Sequence, residues 1–161
     1  MNQNLANSGS AAIILNEVTS TNNSQLNGYA EIAGSRAELI IANPNGITCS
    51  GCGFINTSKL SFIAGSSVYD ANGNLNFNVR ENISAGVPLI TISGLGLDVS
   101  ATSSANIIAS SIKLLATIYG NKTNAVSLVS GDGNYNYRTG ALAQNQNSGA
   151  NAELFAIDAT N

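Results

Sequence analysis

The sequence from residue 43 to residue 57 reads Asn43-Pro44-Asn45-Gly46-Ile47-Thr48-Cys49-Ser50-Gly51-Cys52-Gly53-Phe54-Ile55-Asn56-Thr57. Its first four residues predict a β-turn, because Pro44 pre-sets φ at the second position, the Asn43 amide can cap the turn, and Gly46 tolerates a positive φ. A short apolar run, 39–42, precedes the turn, and a second apolar step, 54–55, follows the alternating glycines and cysteines. Strand, tight turn, corner and strand indicate a chain that winds through sharp corners.

The composition favours an extended, turn-rich architecture in a single domain of residues 1–161. Charged residues make up 9% of the chain, where about 25% is usual, whereas the hydrophobic share of 43% is ordinary. Polarity comes instead from 24 Asn, 20 Ser and 16 Gly. Helical domains need Glu, Lys and Arg on their wet faces, and this chain has few of them.

The charge distribution argues against two classes of partner. The formal net charge is −3 and the pI is near 4.6. Because nucleic-acid binding depends on a clustered basic surface, we expect none here. No run of 18 apolar residues occurs, so we expect no membrane insertion. We also expect the protein to be a monomer. The basic residues are scattered along the chain: Arg36, Lys59, Arg80, Lys113, Lys122 and Arg138.

Short apolar runs punctuated by Gly, Ser and Asn recur along the rest of the chain and predict strands. Asn72-Gly73, between the runs 68–69 and 75–79, predicts a β-hairpin. Residues 105–119 are compatible with a helix or with strands, and their β-branched residues and the Ser110-Ser111 break favour strands. Residues 139–151 form the best candidate for a flexible linker. The pattern is typical of an all-β protein and leaves a solenoid and a sandwich open.

The central stretch resembles the signature of the two-partner secretion domain. This domain lies at the N-terminus of filamentous-haemagglutinin-like and haemolysin-like exoproteins of Gram-negative bacteria, including contact-dependent inhibition toxins. The resemblance rests on Asn-Pro-Asn-Gly-Ile followed by Cys-x-x-Cys-Gly-Phe-Ile-Asn-Thr. It continues upstream at residues 12–19 and 24–29, and downstream at 70–75, 77–80 and, more weakly, 96–98. It covers residues 2 to 130.

This resemblance implies the fold and the candidate site. It implies a right-handed parallel β-helix with an extra-helical β-hairpin, in which Asn43, Asn45 and Asn56 lie at corners and satisfy open backbone groups. The opening residues 2–5 resemble the family's second turn motif, Asn-Pro-Asn-Leu, with Gln3 in the proline position. The motif expected to serve folding and transporter recognition comprises Asn43, Pro44, Asn45, Gly46 and Ile47, with Asn2, Gln3, Asn4 and Leu5 at lower weight.

The function that the resemblance implies is that of a non-enzymatic secretion module. The periplasmic repeats of a cognate outer-membrane β-barrel transporter would recognise it in the periplasm, and it would nucleate β-helix folding of the downstream exoprotein cargo at the cell surface. A signal peptide and the first part of the domain are then expected upstream of this chain. Two alternatives are a surface adhesin that binds a host glycan or protein and, less favoured, a β-helical polysaccharide lyase.

The two cysteines, Cys49 and Cys52, form a lone Cys-x-x-Cys. A zinc site needs four ligands, and the chain has no second pair and no histidine. Gly51 and Gly53 oppose the helix that a thioredoxin-like redox motif requires. A local disulfide at a strand corner is therefore favoured for an exported protein, and we expect no metal and no cofactor.

The inventory for catalysis is small. Without histidine, Ser-His-Asp and Cys-His sites are impossible, and the carboxylates are far apart in sequence. Asp132, in Gly-Asp-Gly-Asn, is compatible with a calcium-type turn, although a plain turn is favoured. Four charges lie in apolar blocks, namely Glu17, Arg36, Glu38 and Arg80. They occupy the outer face of a sheet, or Arg36 forms an ion pair with Glu17 or Glu38.

Overall fold

The computed structural model of the protein describes residues 9–79 and 89–144 and the backbone of Leu154–Ile157. The regular structure of these residues consists of β-strands, with no helix among them, so no membrane-spanning helix is found in this part of the chain. In chain order the strands are β1 (Ile13–Glu17), β2 (Ser24–Leu26), β3 (Tyr29–Glu31), β4 (Ala37–Ala42), β5 (Ile47–Ile55), β6 (Thr57–Ile63), β7 (Gly65–Tyr69), β8 (Leu75–Val79), β9 (Leu89–Asp98), β10 (Ser104–Ala109), β11 (Ser111–Leu114), β12 (Ile118–Tyr119), β13 (Ala125–Ser130), β14 (Gly133–Asn136), β15 (Leu142–Gln144) and β16 (Leu154–Ile157).

The strands build a parallel β-solenoid of about five turns. The first sheet has the order β1-β4-β6-β10-β13, and the second has the order β16-β11-β9-β5-β2, with β3 pairing with β5 and β12 with β9. Every pairing within these two sheets is parallel. Successive coils are β1 to β3, β4 to β5, β6 to β9, β10 to β12, and β13 to β16. The all-β prediction and its β-helix form are confirmed, and strands rather than a helix occupy residues 105–119.

Aliphatic side chains fill the interior of the coil in stacked rows. In one row Ile47, Ile90 and Ile112 are register neighbours on β5, β9 and β11, and each is almost completely buried. Burial of one such side chain stabilises the fold by about 2 kcal/mol. Because parallel neighbours lie directly above one another, each coil needs the coil beneath it to cover this row.

A second hydrophobic core lies on the outer face of the first sheet. Two antiparallel hairpins, β7–β8 and β14–β15, form a four-stranded sheet in the order β15-β14-β8-β7. We call it the hairpin sheet. Its aromatic residues Phe77, Tyr135 and Tyr137 pack with Ile63 and Ile108 of the first sheet. The first sheet is therefore covered on both faces, which accounts for its apolar outward positions.

The predicted hairpin is confirmed, and the structure contains a second hairpin, β14–β15, in addition. At the tip of the first hairpin the Gly73 N–H donates to the Asp70 carbonyl (2.9 Å) and φ of Gly73 is +76°. The second hairpin overlaps the segment 139–151, for which the sequence indicates a linker. Its strand β15 pairs with β14 through Leu142, so the start of that segment is ordered as sheet. Residues 145–151 lie outside the described residues.

Three of the embedded charges make hydrogen bonds and not the ion pair that the sequence left open as an alternative. Glu17 accepts hydrogen bonds from the Ser67 N–H (2.6 Å) and the Ser67 hydroxyl (2.8 Å). Glu38 accepts one from the Tyr137 hydroxyl (2.6 Å).

Arg36 donates to the carbonyl oxygens of Thr57 (3.2 Å) and Ala101 (2.9 Å) and so ties three successive coil corners together. The ion-pair alternative is therefore wrong for these residues, since both glutamates face the hairpin sheet. Arg80 lies outside the described residues.

We expect Glu17→Ala to lower the free energy of unfolding by about 2 kcal/mol, since it leaves the edge of β7 without its charged acceptor. Glu17→Gln, which keeps one acceptor oxygen, should lose less. Urea unfolding followed by circular dichroism measures both, with the exposed Glu31→Ala as control. Equal stability of Glu17→Ala and Glu31→Ala would show that this contact does not anchor the hairpin sheet.

Candidate functional site

The predicted turn at residues 43–46 joins the first sheet to the second, between β4 and β5. The Gly46 N–H donates to the Asn43 carbonyl oxygen at 3.1 Å, which closes the turn. The Asn43 Oδ1 accepts from the Asn45 N–H at 2.8 Å, so the asparagine caps its own turn. Pro44 occupies the second position, where its fixed φ fits. We call residues 43–46 the Asn-Pro corner.

The side chain of Asn43 joins the first coil to the second. Its Nδ2 donates to the Asn22 carbonyl oxygen (3.0 Å) and to the Ser24 hydroxyl (2.9 Å), both in the first coil. Its Oδ1 also accepts from the Asn45 Nδ2 (3.0 Å), which itself donates to the Ser20 carbonyl oxygen (2.7 Å). Asn43 is 0% exposed. A fully buried amide with all these partners has a structural task, because unpaired polar groups are costly inside a protein.

Gly46 and Ile47 complete the corner for different reasons. Gly46 has φ of +98°, and a Cβ at this position would lie 2.6 Å from the Leu89 carbonyl oxygen at the start of β9. Glycine is therefore needed twice over, for conformation and for space. Ile47 begins β5 and opens the aliphatic row of the solenoid interior.

Cys49 and Cys52 form the expected disulfide, with 5.4 Å between their Cα atoms. It spans the bend of β5, where the register shifts between Ser50 and Cys52 and Gly51 has φ of +76°. Both cysteines are buried in the interior core. The bridge therefore fixes the bend from inside the coil.

The other predicted site residues fall into two groups. Asn56 lies at a corner, as expected, with φ of +59°, and its Nδ2 donates to the carbonyl oxygens of Ile32 (2.8 Å) and Gly34 (2.7 Å). The second turn motif, Asn2, Gln3, Asn4 and Leu5, lies outside the described residues. Of the predicted site residues, the structure therefore brings together the Asn-Pro corner, Ile47 and the disulfide, which lie on β5 and on the turn that leads into it.

Sequence reasoning missed one more corner asparagine. The Asn124 Nδ2 donates to the carbonyl oxygens of Val99 (3.1 Å) and Thr102, and its Oδ1 accepts from the Asn121 N–H. A usable signal was present, because Asn56 and Asn124 both directly precede a strand of the first sheet, β6 or β13.

The described residues offer little for metal or covalent chemistry. No group of three or more His, Cys, Asp or Glu side chains among them could hold a metal ion. Asp132, the candidate for a calcium-type turn, accepts a hydrogen bond from the Ser110 hydroxyl. This contact ties the turn to the preceding coil, which is the role of a plain structural turn.

Comparison with known proteins gives a family and a fold. A family model described as the TPS secretion domain, where TPS stands for two-partner secretion, matches residues 2–161. The chain is 42% identical over 118 residues to a tRNA nuclease CdiA of Yersinia mollaretii, covering 73% of this chain and 4% of that protein. It is 53% identical over 74 residues to a hemolysin of Proteus mirabilis, covering 46% of this chain and 5% of that protein.

A solved structure agrees with these sequence relatives. The crystal structure of the filamentous hemagglutinin secretion domain superposes with a TM-score of 0.76 at 27% identity, covering 88% of this chain and 46% of that chain. The chain thus spans only about 4% of the length of the CdiA relative. The activities in the relatives' names are those of proteins many times longer.

We expect Asn43→Ala to lower the free energy of unfolding by about 3 kcal/mol, because buried partners in two coils lose their hydrogen bonds together. Asn45→Ala, at a half-buried position, should cost about 1 kcal/mol. Denaturant unfolding measures both. Lys122→Ala, an exposed change away from the corner, should stay within about 0.5 kcal/mol of the unchanged protein; equal values for all three would contradict the bridging role of Asn43.

We expect the disulfide to resist reduction in the folded protein, since both cysteines are buried. Its loss in Cys49→Ala/Cys52→Ala should cost about 2 kcal/mol from the short loop, with a further loss from the cavity. Thiol alkylation after treatment with dithiothreitol, with and without urea, measures accessibility. Complete reduction without urea at the rate of a small-molecule disulfide would contradict this placement.

Proposed function

The chain belongs to the TPS secretion domain family, and we propose from this premise that it is the export module of a large exoprotein. A TPS secretion domain is a non-catalytic module, and TPS exoproteins are secreted across the outer membrane to the cell surface. We propose that this module is itself not an enzyme. A signal peptide takes the exoprotein to the periplasm, where the periplasmic repeats of a cognate β-barrel transporter bind the module.

The observation that carries the proposal is the burial of Asn43 between the first two coils. Its side chain has no exposed surface, so a transporter cannot read it in the folded state. The Asn-Pro corner instead acts on export by closing the first coil onto the second. Of the corner residues, Pro44 and Asn45 are half-buried and offer the transporter a limited direct contact.

The solenoid architecture supports a second part of the proposal, which is templating of the cargo. Among the strands that the structure describes, β1 and β13 are the two outermost strands of the first sheet. Parallel strand edges can pair with a further strand, either from the next coil or from a partner by β-augmentation. We propose that exposed strand edges of this kind pair with the transporter and that each coil, once formed, templates the coil that follows it in the exoprotein.

The experiment compares two corner asparagines, each of which donates from its Nδ2 to a backbone carbonyl oxygen of the preceding coil. Asn43 joins the first two coils, whereas Asn124 holds a corner near the fourth coil. In an exoprotein that carries this domain, expressed with its transporter, we expect Asn43→Ala to reduce secretion at least about tenfold. Asn124→Ala, at a half-buried position, should reduce secretion less for each kcal/mol of stability that it loses, because the first coils are presented to the transporter before the later ones form.

Two further measurements make the comparison decisive. The isolated domain of each variant gives the free energy of unfolding, and immunoblotting of cells and medium gives the exported fraction, with Lys122→Ala as the neutral control. Normal secretion of Asn43→Ala would falsify the proposed role of the Asn-Pro corner. Secretion defects in proportion to the loss of stability in both Asn43→Ala and Asn124→Ala would show that export follows overall stability and not this corner.

A further inference from the structure

A shallow pocket opens on the side of the solenoid formed by β3, the second half of β5, the second half of β9, and β12. The register places Tyr29, Gly53, Asp98 and Tyr119 side by side on these four strands. Side chains at one register level point to the same side of a sheet. The pocket lies outside the Asn-Pro corner and encloses about 150 Å³.

Glycines form the floor of this pocket and leave room for its aromatic walls. A Cβ on Gly53 would lie 2.3 Å from the Tyr29 ring, and a Cβ on Gly96 would lie 3.2 Å from the Tyr119 ring. The rings therefore rest on bare backbone. Leu95, which is 84% exposed, stands beside them above Gly51. An exposed leucine next to two exposed tyrosine rings is an apolar surface that a partner can cover.

Asp98 supplies the only formal charge among the residues that line the pocket. Its Oδ2 accepts from the Tyr29 hydroxyl (2.8 Å) and its Oδ1 from the Ser100 N–H (2.9 Å). The hydrogen bonds from Ser100, with a smaller contribution from Tyr29, lower the pKa of the Asp98 carboxyl, so it stays ionised at neutral pH. Each carboxylate oxygen has a second lone pair, so both can still accept a hydrogen bond.

We propose that this pocket binds a cationic side chain of a partner protein, arginine in preference to lysine. The aromatic and leucine walls suit the apolar stem of such a side chain, and the two rings attract its charge. The carboxylate can accept the planar guanidinium at both oxygens. A cavity of about this volume admits a group as large as benzene, so the guanidinium head fits.

A neutral ligand such as a sugar fits the same pocket less well. It would cover the Asp98 charge without compensating it, and covering an unpaired charge is unfavourable. The acidic character extends along β3, where Glu31 follows Tyr29 at the strand period and is exposed. The electrostatics of this side therefore select a cation.

The inference stands independently of the proposed export role. The pocket is built from β3, β5, β9 and β12, whereas the Asn-Pro corner lies between β4 and β5. Asn45→Ala should leave arginine binding unchanged even if it reduces export. Failure of one proposal is therefore distinguishable from failure of the other.

The test is an NMR titration of the whole chain with the peptide acetyl-Gly-Arg-Gly-amide. We expect saturable shifts of the Tyr29 and Tyr119 ring signals and the Leu95 methyl signals. The lysine peptide should bind more weakly, and the glutamine peptide at least about tenfold more weakly, the factor that loss of one charge-assisted hydrogen bond produces.

Three variants locate the binding. Asp98→Asn and Tyr119→Ala should each weaken the arginine peptide at least about fivefold. The matched control is Tyr69→Ala, which removes a similarly exposed tyrosine from the hairpin sheet, at 66% exposed against 52% for Tyr119, and it should change nothing. The dispersion of the amide spectrum reports whether each variant is folded. If Asp98→Asn does not fold, Tyr119→Ala still tests the site.

Three results would overturn the proposal. The first is equal binding of the arginine and glutamine peptides. The second is a saturable shift with glucose or maltose and none with the arginine peptide, which would make the pocket a glycan site. The third is the absence of any saturable shift at these three residues.

Discussion

The structure depends on pairing the backbone polar groups at the corners, where the parallel ladders cannot reach. Along the strands, each coil satisfies the next through the sheet, but the chain must turn several times per coil. The protein pairs the corner groups with side-chain amides, because an asparagine can donate and accept at once. Asn43 is the fullest case, since one buried side chain closes its own turn and joins the first coil to the second. Asn56 repeats the device at another corner.

The same constraint explains the unusual composition. A solenoid interior is a stack of aliphatic rows, and its corners need small polar residues and positive φ, so Asn, Ser and Gly replace the charged residues of a helical protein. The few charges present are used for specific joints. Arg36 spans three successive corners with its guanidinium, and Glu17 caps the edge of β7. An open edge of this kind would otherwise pair with other chains.

The outer face of the first sheet shows how the hairpin sheet is fastened to the solenoid. Tyr137 donates its hydroxyl proton to Glu38, packs edge-on against Phe77 and lies beneath the Lys59 ammonium, which is 4.2 Å from its ring centre. Burial, together with the Glu38 hydrogen bond, raises the pKa of the Tyr137 hydroxyl, so this proton stays in place at any physiological pH. The hairpin sheet packs on the first sheet, whereas Tyr29 and Tyr119 on the second sheet remain exposed.

The sequence alone determined the features that local chemistry decides. The Asn-Pro turn, the Asn-Gly hairpin and the four-residue disulfide loop each depend on neighbours within a few residues, and periodicity with the family resemblance was enough to indicate a β-helix. Only the tertiary structure decided which distant residues meet. Glu17 pairs with Ser67 at a separation of 50 residues and Tyr29 with Asp98 at 69, while Arg36 bonds carbonyl oxygens and does not form the ion pair that the sequence left open. These contacts depend on the number of residues in each coil and on the register between strands. Both are set by the whole stack of coils and are not encoded at any single position.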